Sequence, residues 1–369
     1  MYMNSIRNPP IYIIQVIRAF AAIIVVIHHS IRAYTLNPPG YMVNLFKSYL
    51  SVSWFTEALA FGVDVFFVIS GFIMVYVSTP YVDGRKPPLD FLVRRIERIY
   101  PPYLIATAVL LILTAIRFGT GNPDFSLWRI VTSSALWPTF NSQGLVQPIL
   151  GVGWTLSFEM YFYLVFFLSL SLQRTKFLPL TVGIIVAVWL AASTFNSQTA
   201  IGSFLKNPIV LEFLFGCGIA AAFRAGRLPK LHGLTIVASI LIVLVSTHFQ
   251  ADGYFSQDWR VIYWGMPAAL IIASSLQISF NHETPIGRLG VFLGNASYSI
   301  YLMHIAVIYL IMTRIYPKLI DFGVVRSIDQ AVAMAVIASI AFGAVFHILV
   351  EKPINDWRHK QSPSRSKTA

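Results

Sequence analysis

Long runs of apolar residues recur along the whole chain, separated by shorter polar stretches. Runs of about 17 to 25 mainly apolar residues are long enough to cross a bilayer as α-helices. Ten such runs can be placed, at residues 11–33, 54–78, 101–118, 152–172, 178–195, 208–223, 234–249, 260–278, 294–314 and 329–350. The pattern therefore predicts an all-α integral membrane protein, a bundle of about ten transmembrane helices.

The amino-acid composition agrees with this fold class and argues against several kinds of function. The 369 residues are 56% hydrophobic and 11% charged, with a mean hydropathy of +0.69, whereas soluble domains carry about twice that charged fraction. The single cysteine, Cys217, excludes a disulfide framework and a cysteine metal site, and we expect no metal. The net charge of +12 lies at the ends of apolar runs, which is typical of topology signals and lipid headgroup contacts rather than of nucleic-acid binding.

Positive charges also set the predicted orientation, because cytoplasmic loops are enriched in lysine and arginine. An N-terminus inside the cell puts most basic clusters on the inner side: Arg85, Lys86, Arg94, Arg95, Arg98, Arg174, Lys176, Arg224, Arg227, Lys230 and those of the C-terminal tail. Both termini are therefore predicted to be cytoplasmic, with segment 119–151 on the outer face. We predict a membrane domain over 1–352 and a disordered cytoplasmic tail over 353–369.

The first apolar run carries charged and titratable side chains that a lipid-facing helix would not tolerate. At 3.6 residues per turn, Arg18, His29 and Arg32 share one stripe within roughly 40°, while His28 points about 80° away from it. Such groups inside a membrane helix are costly and usually mark a pathway or a site. One face of this helix is therefore predicted to carry chemistry, with His28 directed toward a neighbouring helix or lipid.

Two acidic residues inside later runs are further candidates. Asp64 lies in FGVDVFFVISGF and shares a face with Glu57 and Gly71, so it is either a structural residue or one that orients a group on the first helix. Glu159, in WTLSFEMYFYL, lies about two turns inside the membrane and is a functional candidate by default. Its structural alternative is an ion pair with Arg18 or Arg32.

The segment FLVRRIERIYPPY concentrates arginines just before the third run. Arg94, Arg95 and Arg98 either fix topology only or bind an anion, because planar guanidinium groups bind phosphates in a bidentate manner. Arg95 and Arg98 share a helix face, which favours their joint use. A ligand with several phosphates, such as coenzyme A, would suit this site.

The ninth run adds a polar stripe near the end of the chain. Ser297, Tyr301 and His304 fall on one side of the helix predicted for GNASYSIYLMHIAV, where a histidine is either structural or functional. The closing Glu351-Lys352-Pro353 is a weak signal, read as an end cap. No P-loop, GxSxG or HExxH motif is present in the sequence.

Taken in order, these motifs resemble the bacterial membrane acyltransferase-three family, and the opening IQVIRAFAA is most similar to its exopolysaccharide O-acetyltransferase branch. The matching elements are Arg18 with His29, FFVISGF, RRIERIYPPY, WTLSFEMYFYL, SYSIYLMH and VEKP. The resemblance implies a multi-pass enzyme of the bacterial inner (cytoplasmic) membrane. It would transfer an acyl group, usually acetyl, from cytoplasmic acetyl-CoA to a hydroxyl of a lipid-linked or extracytoplasmic glycan, alongside polysaccharide biosynthesis machinery.

With that resemblance, the candidate residues take the following expected roles. Arg95 and Arg98 hold the phosphates of acyl-CoA, and Arg18 lines the path. His29 acts as general base or as acyl acceptor, oriented by Asp64 or Glu159. Substrate binding is assigned to Trp154, Tyr301 and His304, and the outer segment 119–151, with Trp128 and Trp137, is expected to receive the glycan.

Two other classes of function compete with this assignment. In a proton-coupled secondary transporter of a small molecule or glycan precursor, His29, Glu159 and His304 would form a proton relay. That class favours an internal repeat and paired broken helices, and we find no such repeat. A structural membrane subunit would not need buried His, Asp and Glu on facing stripes.

Overall fold

The computed structural model describes residues 11–35, 53–118, 123–195, 197–231, 233–251, 257–324 and 327–361. Within these ranges the regular structure is helical, and the helices in chain order are α1 Tyr12–Thr35, α2 Ser53–Ala58, α3 Gly62–Tyr76, α4 Thr79–Val82, α5 Pro88–Phe118, α6 Leu127–Ser134, α7 Trp154–Leu172, α8 Phe177–Phe195, α9 Ala200–Leu205, α10 Glu212–Arg224, α11 Gly233–Ala251, α12 Met266–Ser275, α13 Pro285–Leu310, α14 Tyr316–Asp321, α15 Ile328–Phe346 and α16 Lys352–Gln361. The predicted all-α class is confirmed for the described part of the chain.

Eight helical stretches in the described ranges are long and apolar enough to cross a membrane, so this is a multi-pass membrane protein. Two of the ten predicted runs form shorter helices. Run 208–223 is a 3₁₀ turn followed by the 13 residues of α10, and run 260–278 is a π-helical turn, Val261–Gly265, followed by the 10 residues of α12.

The centre of the bundle is built on α1 and α3. Helix α1 packs against α3, α13 and α15, and α3 packs against α10. The last contact is very close, because a Cβ on Gly71 would collide with the backbone of Phe213 and one on Gly216 with the backbone of Val68. Small residues allow such backbone approach in membrane bundles.

Helix α5 begins earlier than the sequence predicts. The third run was expected to open at Pro101 and Pro102, but the helix starts at Pro88 and both prolines lie inside it. A proline removes one backbone hydrogen bond and bends a helix, but neighbouring helices make this tolerable in a membrane bundle. Arg95 and Arg98 therefore lie on the same continuous helix as the apolar run that follows.

Two segments outside the predicted membrane spans contain ordered structure. The outer segment includes the turn Pro123–Phe125, helix α6 and an isolated bridge between Phe140 and Val146. The disordered tail predicted from 353 is wrong for its first part, because the chain continues as α16 to Gln361. The rest of the tail, 362–369, lies outside the described residues.

Candidate active site

A cavity of about 580 Å³ opens among α1, α3, α5, α7 and α13 and is also lined by the start of α16. This volume falls within the range of about 300–1,000 Å³ typical of small-molecule sites. Its charged lining residues are three arginines, one lysine and three carboxylates: Arg18, Arg95, Arg98, Lys352, Glu159, Glu351 and Asp356. Charged groups inside a membrane bundle are costly, so a cavity that gathers them points to a functional site.

The arginines come from two helices that face each other across the cavity. The guanidinium group of Arg95 lies 5.5 Å from the ring centre of Phe91 and 5.9 Å from that of Tyr163. Its Nε atom is buried and has no hydrogen-bond partner among the described residues. Arg18 donates to the side chain of Gln15 over 3.1 Å and lies within electrostatic range of Arg98. These cations are therefore placed to receive an anionic ligand.

The third arginine of the predicted cluster has a different environment. Arg94 Nε donates to Asp90 Oδ2 over 2.9 Å on the same helix, and Arg94 does not line the cavity. The structure thus separates Arg94 from Arg95 and Arg98, in agreement with the helix face expected from their spacing.

Glu159 lies on the cavity wall and is held by two hydroxyl groups. Ser70 Oγ donates to it over 2.8 Å, and the phenol of Tyr163 donates to the same oxygen. Among the described residues, its side-chain hydrogen bonds are thus with α3 and α7 rather than with His29, Arg18 or Arg32. Its predicted role in orienting His29 has no direct contact to support it.

Glu351, read from the sequence as part of an end cap, is buried beside the cavity. It accepts hydrogen bonds from Ser299 Oγ over 2.6 Å and from His347 Nδ1 over 2.8 Å. The side chains of His347 and Glu351 both belong to the π-helical turn His347–Glu351 between α15 and α16. Such turns are frequent at functional sites, and the His-Glu spacing at the end of an apolar run was the signal that could have identified this pair.

Tyr301 lines the cavity and makes contacts on two sides. Its hydroxyl donates to the carbonyl of Val152 over 3.0 Å and lies 3.0 Å from Thr155 Oγ1. On its other side, its ring centre is 5.8 Å from that of His304. Tyr301 therefore contacts both the cavity and His304.

Trp154 does not line the cavity. Its ring packs at 6.1 Å from Phe67 and 5.9 Å from Phe158, within an aromatic cluster. On the outer segment, Trp128 and Trp137 are 65% and 55% exposed, so their rings are accessible for contacts outside the bundle.

Three histidines meet near the other end of α1. The ring centres of His29 and His304 are 5.1 Å apart, and those of His28 and His29 are 5.0 Å apart. His28 is buried and its Nδ1 lies 2.7 Å from the carbonyl of Thr56 on α2, which fits the predicted direction toward a neighbouring helix. His29 is half-buried and does not line the cavity itself.

Asp64 does not take the position expected for a residue that orients a group on α1. Both of its oxygens accept from Arg260, over 2.9 Å from Nε and 2.7 Å from Nη2. The guanidinium group also lies 4.4 Å from the ring centre of Trp264. Because both oxygens of Asp64 accept from Arg260, its proposed role in orienting His29 has no direct contact to support it among the described residues and stays a prediction.

Arg260 and the fully buried Glu212 are residues that sequence reasoning missed. The carboxyl group of Glu212 lies beside Asp64 and within electrostatic range of Arg260. Both residues lie within predicted apolar runs, and ionisable residues in such runs are functional candidates by default, so this rule would have identified them.

The structure thus brings Arg18, Arg95, Arg98, Glu159 and Tyr301 to one cavity and His29 to His304. It places Asp64 in a separate ion pair and Trp154 in the aromatic core.

Comparison with known proteins gives a consistent result. The family described as acyltransferase domain matches residues 11–350. The exopolysaccharide production protein ExoZ of Rhizobium meliloti (strain 1021) is 32% identical over 299 residues, which cover 80% of this chain and 89% of that protein. BcsY of Komagataeibacter xylinus is 25% identical over 258 residues, 66% of this chain and 64% of that protein.

The O-acetyltransferase OatA of Staphylococcus aureus (strain NCTC 8325 / PS 47) is 24% identical over 335 residues, 79% of this chain and 49% of that protein. No solved structure matches this chain. The family match extends over nearly the whole chain, including α1, α3, α5, α7 and α13, which line the cavity. The chain therefore belongs to the acyltransferase family, and it is a membrane-embedded acyltransferase.

Proposed function

We propose that this protein transfers an acetyl group from cytoplasmic acetyl-CoA to a hydroxyl group of an exopolysaccharide or another surface glycan. The observation that carries the proposal is the cavity lined by Arg18, Arg95 and Arg98, which ends at Tyr301 beside the His29–His304 pair. Guanidinium groups suit phosphates, and a neutral imidazole suits acyl transfer.

In this proposal the two parts of the donor bind in different environments. Arg95 and Arg98 hold the phosphates, while Arg18 lines the path along which the thioester reaches the histidines. His29 acts on the acyl group, either as general base for the attacking hydroxyl or as a transient acyl acceptor.

The acceptor class rests on the names of the relatives. ExoZ is an exopolysaccharide production protein and OatA an O-acetyltransferase. The exposed Trp128 and Trp137 of the outer segment are the surfaces we propose for the glycan, with the polysaccharide biosynthesis machinery as a partner. Membership of an acyltransferase family favours this function over the proton-coupled transporter.

The decisive experiment is mass analysis of surface polysaccharide from cells with and without the gene, combined with purified protein, labelled acetyl-CoA and the isolated polysaccharide. We expect one additional acetyl ester per modified repeat unit only when the gene is present, and transfer of label in vitro. An unchanged polysaccharide with no transfer of label would refute the proposal.

We also propose a topology of about ten membrane-crossing helices in the inner membrane, with both termini and the start of α5 in the cytoplasm. After replacement of Cys217, cysteines introduced at Ser126 and Ser364 should react oppositely with an impermeant thiol reagent added to intact spheroplasts. Labelling of both sites from outside would contradict the cytoplasmic donor site.

A further inference from the structure

The His29 ring needs a neighbouring side chain that fixes its orientation. Of the groups expected to orient this ring, Asp64 is bound by Arg260, and Glu159 is bonded to Ser70 and Tyr163. Within the described part of the chain, the ring of His29 has aromatic contacts with only two neighbours, His28 and His304.

His28 has its own partner. Because a carbonyl oxygen only accepts hydrogen bonds, the 2.7 Å contact with Thr56 fixes the proton of His28 on Nδ1. Its ring meets that of His29 edge-on, with an interplanar angle of 75°. This residue is thus held toward α2.

His304 has the same kind of bond but a free second nitrogen. Its Nδ1 lies 2.7 Å from the carbonyl of Tyr301, so in the neutral ring Nδ1 carries the proton and Nε2 carries a lone pair. That Nε2 is buried and has no hydrogen-bond partner among the described residues. An unpaired buried acceptor is costly, so a donor is expected there in the working enzyme.

We propose that His304 is the positioning residue of His29. The Nε2 atom of His304 accepts the N–H of the His29 ring, which fixes the ring orientation and leaves the other nitrogen of His29 unprotonated. A base held by a second group is the general arrangement of activated nucleophile sites. This inference rests on the proposed function, since it assigns a role to His304 within the same transfer step.

The resulting step can be written with all atoms accounted for. The acceptor hydroxyl oxygen attacks the thioester carbonyl carbon, a C–O bond forms, and the C–S bond of acetyl-CoA breaks. The hydroxyl proton passes to the free nitrogen of His29 and from there to the sulfur, giving the ester and coenzyme A thiol. His304 keeps its proton on Nδ1 throughout and serves only as acceptor.

Two substitutions at position 304 separate this role from a purely structural one. His304→Asn keeps a donor near the Nδ1 position, toward the Tyr301 carbonyl, but removes the acceptor at Nε2. His304→Gln places an amide oxygen near the Nε2 position instead. We expect His304→Asn to lower kcat by about 10²-fold, the order of loss caused by misplacing a catalytic group. His304→Gln should retain clearly more activity, and neither should change KM for acetyl-CoA.

His28→Asn is the matched control, because His28 is equally close to His29 and also bonds a carbonyl through Nδ1. It should leave kcat near the wild-type value. Each variant is purified in lipid nanodiscs, and its thermal unfolding and acetyl-CoA binding are measured beside the kinetics.

Equal kcat values for the Asn and Gln variants, or a loss confined to KM, would overturn the positioning role. Loss of acetyl-CoA binding or of the folded state in both variants would overturn it too, since His304 would then support the fold. If His29→Ala keeps full activity, the assignment of His29 in the proposed function fails. If His29→Ala is inactive while both His304 variants match the wild type, only the present inference fails.

Discussion

The two ends of α1 present opposite chemical environments within one helix. Arg18 lines the cavity together with two other arginines, a lysine and three carboxylates, and it lies within electrostatic range of Arg98, Glu351 and Glu159. His29, about 16 Å further along the axis, lies among imidazole rings. Near the His29 end of α1, charged side chains form ion pairs, Arg32 with Glu57 and Arg260 with Asp64.

This difference between the two ends of α1 suits them to two tasks, donor binding at the Arg18 end and acyl transfer at the His29 end. An anionic donor needs fixed cations, but a base that accepts a proton works best as a neutral ring, and a nearby unpaired cation would oppose its protonation. The carboxylate of Asp64 partly offsets the charge of Arg260, which lies within electrostatic range of His28. Tyr301 lies at the boundary, in contact with both the cavity and His304.

Removal of the histidine at the chemical end should have the largest effect. We expect His29→Ala to lower the rate of acetyl transfer by about 10²–10⁴-fold, the usual contribution of a general base, with acetyl-CoA binding unchanged. Kinetics with labelled acetyl-CoA and binding by calorimetry on the same preparation test this. His28→Asn provides the control and should lose far less. An inactive His28→Asn beside an active His29→Ala would show that the wrong face of α1 has been assigned.

A smaller effect, a loss of affinity for acetyl-CoA, is expected from substitutions of the cavity arginines. Arg98→Lys keeps the positive charge but loses the planar, bidentate contact, so the Kd for acetyl-CoA should rise by about tenfold, equivalent to about 1.4 kcal/mol. Arg95→Lys should behave similarly. Arg94→Lys is the matched control, because Arg94 bonds Asp90 and does not line the cavity. Equal affinity in all three variants would mean that the cluster only sets topology.

The sequence predicted the fold class and most membrane spans because the length of an apolar run is a property of the local sequence. It missed boundaries where tertiary packing outweighs local propensity. Pro101 and Pro102 are poor helix formers in isolation, yet α5 continues through them, and the polar residues after 352 continue as α16. Run 208–223 contains a short helix whose close contact with α3 depends on glycines from both helices.

At the site, spacing on single helices predicted which side chains share a face, and the structure places Arg95 with Arg98 accordingly. Partners between helices could not be predicted in this way. The partner of Asp64 is 196 residues away, and that of Ser70 is 89 residues away. No local pattern states which distant helix faces a given residue, so the pairing of Asp64 with Arg260 could not be predicted.

The smallest expected effect concerns the carboxylate opposite the arginines. Glu351 lies within electrostatic range of Arg18 and Arg98, and its negative charge opposes that of an incoming phosphate. Glu351→Gln removes this charge while the amide oxygen still accepts a hydrogen bond from Ser299. We expect acetyl-CoA to bind more tightly, by less than about tenfold in Kd, and the gain to shrink at high salt because screening weakens charge interactions.

Two controls connect this effect to phosphate binding at one end of α1. S-acetyl-pantetheine, which has the thioester but no phosphates, should show the same affinity, inferred from inhibition, for the wild type and Glu351→Gln. Glu57→Gln makes the same charge change at the histidine end and should leave the Kd for acetyl-CoA unchanged. A gain that is equal for both donors, or equal for both substitutions, would mean that the charge of Glu351 does not act on the phosphates. The cavity and the histidine end would then no longer be electrostatically separate regions.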